Sequence, residues 1–273
     1  MVTYVQDTEL NAENKNMFLI PIIISVLLSE KLIRSTGLDS PCEKIGKTCG
    51  KRNAEEKIVQ VGDMLFYGDD FFTNETLKGA ITSAQRLWDG GIIPYEIDDL
   101  FKQHRPLVMA AMQQYQDFTC VKFVPRTTEV NYLYIEQGTA GCSTFVGNLR
   151  RGRQILQLGR GCLFIGTVVH ELGHSIGFHH EHNRIDRDEY IDIIWENVQK
   201  GSERLFVKTP ASQEWMINGY DINSIMHYGE TAFSKDGISP TMKSKDGRPI
   251  YDPRGKPGLN WSDIYRINIL YNC

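Results

Sequence analysis

A chain of 273 residues with 41% apolar and 23% charged content is long enough for one substantial core, or for one domain behind a lead segment. Its net charge of −4 gives no basis for nucleic-acid binding. No stretch reaches the length of a membrane-spanning helix.

Residues 1–16 are polar and somewhat acidic. FLIPIIISVLL (18–28) is an apolar run too short to span a bilayer comfortably, and it matches the apolar region of a secretory signal. Met17 directly precedes it, so translation starts at Met1 or Met17, with signal cleavage near Ser29. The competing uses of such a run are a buried element at the front of a domain and a signal anchor. Residues 30–78 are polar and charged, carry Cys42 and Cys49, and read as a leader with little core of its own. The even count of six cysteines fits disulfides in an oxidising compartment, with the pairing left open by the residues alone. Asn74-Glu75-Thr76 and Asn260-Trp261-Ser262 are glycan sequons, of which the second is less convincing because Trp261 fills its middle position.

From residue 79 the pattern becomes globular. RPLVMAAMQQYQD (105–117) suits a helix starting near Pro106 with apolar positions on one side. VKFVP (121–125) and NYLYIEQG (131–138) alternate as half-buried strands do, and RQILQLG (153–159) reads as another strand. LFIGTVVHELGHSIG (163–177) is apolar around much of its circumference, as a helix through a core should be. Beyond Gly177 the chain is richer in loops, with turns at DGIS and KDGRP. SDIYRINILYN (262–272) reads as a final helix with Ser262 as N-cap. Mixed sheet and helices before an irregular second half argue an α+β fold of two lobes around a cleft.

The chemistry concentrates at HELGHSIGFHH (170–180). Four residues turn a helix by about 400° and advance it about 6 Å. His170 and His174 therefore project from one face and can grip one metal ion. Glu171 lies close enough to act on water at the metal without being a ligand. Gly177 can adopt the left-handed conformation that ends a helix, which lets His180 swing back as third ligand. A bare H-E-x-x-H arises by chance often enough to be doubted, whereas H-E-x-x-H-x-x-G-x-x-H does so very rarely. Neutral imidazoles with one open position are the usual chemistry of a catalytic zinc. His179 and His182 lack the spacing and read as ordinary neighbours. In SIMHYG (224–229), Met226 sits in a turn-prone setting from which a thioether can pack beneath the histidines.

These residues closely resemble the astacin family of metzincin zinc endopeptidases. HELGHSIGFHHEHNRIDRD (170–188) and SIMHYG carry the resemblance, with LWDGGIIPY (87–95) near its start and DIYRINILYNC (263–273) at its end. It implies a signal region at 1–29, a propeptide at 30–78 and a catalytic domain at 79–273. That domain would be a two-lobed metzincin with an active-site helix and a mixed sheet in its N-terminal lobe. One zinc ion would be held by His170, His174 and His180. Glu171 would shuttle the proton, and Tyr228 would ligate zinc at rest and stabilise the transition state. Met226 would support the histidines, and Glu181 would hold the new N-terminus after an activating protease cuts near Lys78–Gly79. FYGD (66–69) matches the F-x-G-D motif of astacin prosegments, which makes Asp69 the residue that blocks the zinc. Cys120 would pair with Cys273 and Cys142 with Cys162, leaving Cys42 with Cys49. Arg254 and Lys256 are candidates for the pocket just beyond the scissile bond, Lys256 before Arg254. Substrates would lie along an edge strand, and RQILQLG is near the expected position.

The expected activity is therefore hydrolysis of protein or peptide substrates by a secreted zymogen with no stable membrane span. A catalytically silent binding module that kept the fold is the alternative from another class. A zincin of another lineage would demote His180 and use Glu181 or Glu189 instead.

Overall fold

The computed structural model describes residues 58–67, 86–209 and 216–273. The chain divides into Met1–Asn53 and Ala54–Cys273, and all described residues lie in the second unit. Cys42, Cys49, Asp69, Asn74, Lys78 and Gly79 fall outside the described residues, as does the apolar run at 18–28. Among those described, no helix is long and apolar enough to cross a membrane.

One mixed sheet has the order β1-β2-β6-β7-β5-β3-β4. Its strands are β1 (Ile58–Val61), β2 (Met64–Tyr67), β3 (Ile92–Ile97), β4 (Lys122–Pro125), β5 (Tyr132–Glu136), β6 (Cys142–Phe145) and β7 (Arg153–Leu158). Strands β7, β5, β3 and β4 run parallel, while β6 is antiparallel to β7. Strands β5 and β7 alternate, with Leu133 and Ile135 of β5 and Leu156 and Leu158 of β7 buried in the core and the residues between them half-buried.

Helix α1 (Arg105–Phe118) begins with Pro106 in its first turn, where a missing N–H costs nothing. It buries Val108, Ala111, Met112 and Tyr115, one face at helical spacing. Against it lies α2 (Ile165–Ser175), whose residues from Gly166 to Ser175 are all buried. A helix end inside a core needs donors from elsewhere for its last carbonyls. Trp88 Nε1 donates to Ser175 O at 2.8 Å, Tyr271 Oη to Ile176 O at 2.8 Å, and Gly147 N to His174 O at 2.9 Å. Gly177, at φ 115°, then turns the chain out of the helix.

The second half has its own small core of Ile191, Val198, Phe206, Ile222, Tyr228, Met242 and Ile250. It contains the ribbon of β8 (Ile191–Ile193) and β9 (Met242–Ser244) and otherwise short turns. Helix α3 (Trp261–Tyr271) returns to the first core, burying Ile267 and Leu270 there. Cys273 is bonded to Cys120, and Cys142 to Cys162.

Three expectations change. RQILQL forms β7, enclosed between β6 and β5, so it offers no free edge. The leader does contribute core: β1 and β2 form a hairpin that extends the sheet, with Met64 and Leu65 buried. The N-cap of α3 is Asn260 rather than Ser262, and Asn260 and Asp263 form a reciprocal capping box.

The capping role bears on the second sequon. Asn260 Oδ1 accepts from Asp263 N at 2.9 Å, and its Nδ2 donates to Asp221 Oδ2 at 2.6 Å. A glycan on that nitrogen would replace one of its two N–H groups and add bulk beside the contact with Asp221. Expression in glycosylating cells should leave Asn260 unmodified by peptide mass spectrometry, and Asn260→Ala should cost about 1 kcal/mol in chemical denaturation.

Candidate metal centre

His170 and His174 stand one turn apart on α2, and the chain beyond Gly177 brings His180 to the same point. His174 Nε2 lies 3.1 Å from His170 Nε2 and 3.1 Å from His180 Nε2. All three residues are buried, His180 being the most exposed at 4%. Zinc–nitrogen bonds of about 2.0–2.1 Å in tetrahedral array set donors roughly 3.3 Å apart.

The outward nitrogens fix which tautomers are present. His170 Nδ1 faces the Ile225 carbonyl at 2.7 Å, and His174 Nδ1 faces the Phe178 carbonyl at 2.6 Å. A carbonyl only accepts, so both Nδ1 atoms carry the proton and both Nε2 atoms present lone pairs. Two facing lone pairs at 3.1 Å repel unless a cation lies between them. Burial pushes His180 down to about 4 and also lowers His174, so neither imidazole supplies that charge at neutral pH.

A fourth donor comes from the hairpin turn between β1 and β2. Asp63 Oδ1 lies 2.8 Å from His180 Nε2 and 3.3 Å from His174 Nε2, and its Oδ2 lies 3.1 Å from His170 Nε2. Oδ1 makes no properly directed hydrogen bond. A buried carboxylate oxygen among imidazole lone pairs is the arrangement a divalent cation satisfies, and the four donors lie within 4.8 Å of one another. Asp63 is anchored by its backbone, since Thr144 N donates to Asp63 O at 2.9 Å. Gly62, at φ 65°, permits this approach: a Cβ there would stand 2.9 Å from Tyr228 Oη.

FYGD points to Asp69 for such a role; Asp69 lies outside the described residues, and the carboxylate described among the imidazoles is that of Asp63. Nothing in the residue pattern near Asp63 announced it, because VGD lacks the aromatic residue that made FYGD a match. The only available signal was a second Gly-Asp pair upstream. The aromatic residues of FYGD serve as packing. Tyr67 stacks on Phe145 at 5.2 Å beneath the Arg151 guanidinium, and Phe66 stacks on His179 at 6.3 Å.

Glu171 is 1% exposed, and its Oε2 has no hydrogen-bond partner among the described residues. Burial, reinforced by Asp63, pushes its carboxyl well above the usual range. Tyr228 packs against His180 with ring centroids 4.2 Å apart and the planes tilted by 42°. Burial, followed by the Asp63 carboxylate, holds its phenol well above the usual range. Beneath the site, Met226 Sδ comes so near α2 that a Cβ on Gly173 would lie 2.5 Å from it. His182 is buried with its ring stacked on Tyr228 at 4.6 Å, giving it a packing role that motif spacing did not suggest.

Glu181 is buried with both oxygens engaged. Oε1 accepts from Asp221 N at 2.9 Å and Arg184 Nη1 at 3.2 Å, and Oε2 pairs with Arg266. Lys256 is buried too, and its ammonium donates to the carbonyls of Ser224 at 2.7 Å and His227 at 2.9 Å. Its charge is spent on the backbone of the methionine turn instead of facing an open pocket. Arg254 is exposed and pairs with Asp252 at 3.0 Å.

Three imidazoles gathered by a helix and the turn after it, above a buried methionine, define the metal centre of a zinc-dependent protease. The family model Astacin (Peptidase family M12A) matches residues 80–272, and the chain belongs to that family. It is 42% identical over 214 residues to astacin-like metalloprotease toxin 1 of Loxosceles intermedia, a match covering 78% of this chain and 80% of that one. It is 42% identical over 207 residues to the dorsal-ventral patterning protein tolloid of Drosophila melanogaster, covering 72% of this chain but only 19% of tolloid. Among solved structures, high choriolytic enzyme 1, a hatching enzyme zinc-protease of Oryzias latipes, superposes with a TM-score of 0.64 at 34% identity. That match covers 71% of this chain and 98% of the hatching enzyme. The chain is a zinc metalloendopeptidase of the astacin type.

Lys256 offers a pH readout independent of the metal. Burial lowers its ammonium from 10.5 to about 8. Between those values the unfolded chain holds a proton that the folded chain has released, so this group's contribution to stability rises with pH. Wild type should gain about 2 kcal/mol relative to Lys256→Met between pH 8 and 10, read as the difference in urea unfolding free energy.

Proposed function

We propose that the chain is a secreted endopeptidase precursor in which His170, His174 and His180 hold one zinc ion and Asp63 blocks it. The observation that carries this reading is the Asp63 carboxylate lodged among the three Nε2 atoms. Zinc bound there would polarise a peptide carbonyl and acidify water. Glu171 takes a proton from the attacking water and returns it to the leaving amine, a task suited to a buried carboxyl with a raised pKa and a free oxygen. Tyr228, kept protonated, donates toward the oxyanion that develops at the scissile carbonyl.

Strand β6 is the substrate strand in this proposal. In the described chain β2 covers its outer edge in parallel register, Met64 with Thr144 and Leu65 with Phe145. Without β2 those backbone groups would be open to an extended peptide. The latent state thus combines a carboxylate at the metal with a strand on the substrate edge. Cutting near Lys78–Gly79 would separate β1 and β2 from the catalytic domain, and the freed N-terminus is proposed to reach Glu181. The disulfides Cys120–Cys273 and Cys142–Cys162 support an oxidising, extracellular location. The partners are protein or peptide substrates and an activating protease.

In the processed, zinc-loaded enzyme, Glu171→Gln should lower kcat by roughly 10²–10⁴-fold while zinc content stays stoichiometric; turnover near wild type would exclude Glu171 as the proton carrier. In the uncut chain, Asp63→Ala should raise cleavage of a fluorogenic peptide by roughly tenfold for every 1.4 kcal/mol with which the carboxylate holds the metal point. Asp69→Ala should leave the uncut chain latent. The reverse outcome would reassign the block to Asp69.

A further inference from the structure

We propose that Asp263, on the first turn of α3, is a positioning residue for the metal centre, acting on His170 through Ser224 and the Ile225–Met226 peptide. The proposal rests on the reading that His170 is a ligand.

The connection is a continuous chain of hydrogen bonds. His170 Nδ1 donates to Ile225 O at 2.7 Å. The same peptide unit ends in Met226 N–H, which donates to Ser224 Oγ at 3.1 Å. Ser224 Oγ in turn donates to Asp263 Oδ1 at 2.6 Å. The other oxygen, Asp263 Oδ2, accepts from Ile225 N at 2.9 Å, so the carboxylate grips this residue on both sides. Ser224 is fully buried, and His170, Ile225, Met226 and Asp263 are 1%, 1%, 2% and 3% exposed, so every link is shielded from bulk water.

Each link has a donor facing an acceptor in one direction, from imidazole to peptide to hydroxyl to carboxylate. Chains of this kind polarise one another, and their strength depends on the charge at the end. A ligand histidine that donates its outer N–H to an anion or a polarised carbonyl is fixed in tautomer and ring orientation and is the better base at its other nitrogen. Here the anion is reached through one hydroxyl and one peptide unit. Arg266 Nη2 also donates to Ser224 Oγ at 2.6 Å and to Asp263 Oδ1 at 2.7 Å, and Arg266 pairs with Glu181. Glu181 follows His180 directly, and its N–H donates to Met226 O at 3.0 Å. The buried group Glu181–Arg266–Asp263 therefore holds both peptide units of Met226 and braces two of the three imidazoles from one helix. The capping box supplies Asp263 with a second task, since Oδ2 also accepts from Asn260 N at 3.1 Å.

The test is zinc affinity of the full chain, measured by competition with a chromophoric chelator well below the melting temperature, with folding checked by near-UV circular dichroism. Asp263→Asn keeps the shape but removes the charge and should weaken zinc binding roughly 10–100-fold, the range for removing a partner that orients a metal-binding histidine. Ser224→Ala cuts the relay without touching the helix cap and should weaken it severalfold; it decides the matter if Asp263→Asn does not fold. Asn260→Ala damages the cap without touching the relay and should lower thermal stability while leaving zinc affinity within about twofold of wild type. If folded Asp263→Asn and Ser224→Ala bind zinc as wild type does, the proposal is overturned. If Asn260→Ala weakens zinc as much as Ser224→Ala does, the effect is general loss of stability, and the proposal is again overturned. His170→Ala is the separate arm: unchanged zinc binding there would defeat the ligand reading itself.

Discussion

Three imidazoles converge on one buried point, two of them with lone pairs turned toward each other, and that repulsion is the constraint on which the rest of the structure turns. Holding His170, His174 and His180 in that array requires that each ring be fixed from behind. Two of the rings are held by carbonyls, Ile225 O and Phe178 O. Those carbonyls must themselves be immobile, so the turns that bear them are buried and fully bonded. The methionine turn carries this demand furthest. Met226 packs on α2, Lys256 ties the carbonyls of Ser224 and His227, and Asp263 holds Ser224 and Ile225.

The same constraint explains why α2 lies deep in the first core. A helix at the surface could fray or shift, and a displacement of about one ångström would spoil a metal grip with bonds of about 2 Å. Burial removes that freedom and leaves polar groups that need internal partners. Trp88, Tyr115 and Tyr271 reach in from the surrounding elements to satisfy carbonyls of α2 and of the turn just beyond it. Burial also tunes Glu171, whose raised pKa is a consequence of the position that makes the helix rigid. Stability and chemistry are thus set by one placement.

The hairpin of β1 and β2 meets the site by two routes of different character. Asp63 offers charge at the metal point, and β2 offers backbone hydrogen bonds along β6. The aromatic residues that follow, Phe66 and Tyr67, add stacking on His179 and Phe145. A short segment can be held this way, because it extends the sheet and packs on the apolar surface already there. This is why the composition of the leader gave no hint of its strands.

By itself the sequence determined the histidine triad, the helix that carries it and the methionine turn, because those depend on short-range spacing. His170 and His174 share a face through helix geometry alone, and Gly177 marks the exit. The amphipathic face of α1 and the alternation in β4 and β5 were legible for the same reason. Tertiary structure alone placed Asp63 beside the imidazoles, since the pairing of β1 with β2 carries its turn to a cluster more than a hundred residues further along the chain. It also decided that β7 lies enclosed between β6 and β5, because strand order is a long-range property that no local pattern encodes. Lys256 and Asp263 show the same limit. Local pattern signals the burial of neither, and each becomes a buried brace because a segment far along the chain presents backbone groups to it.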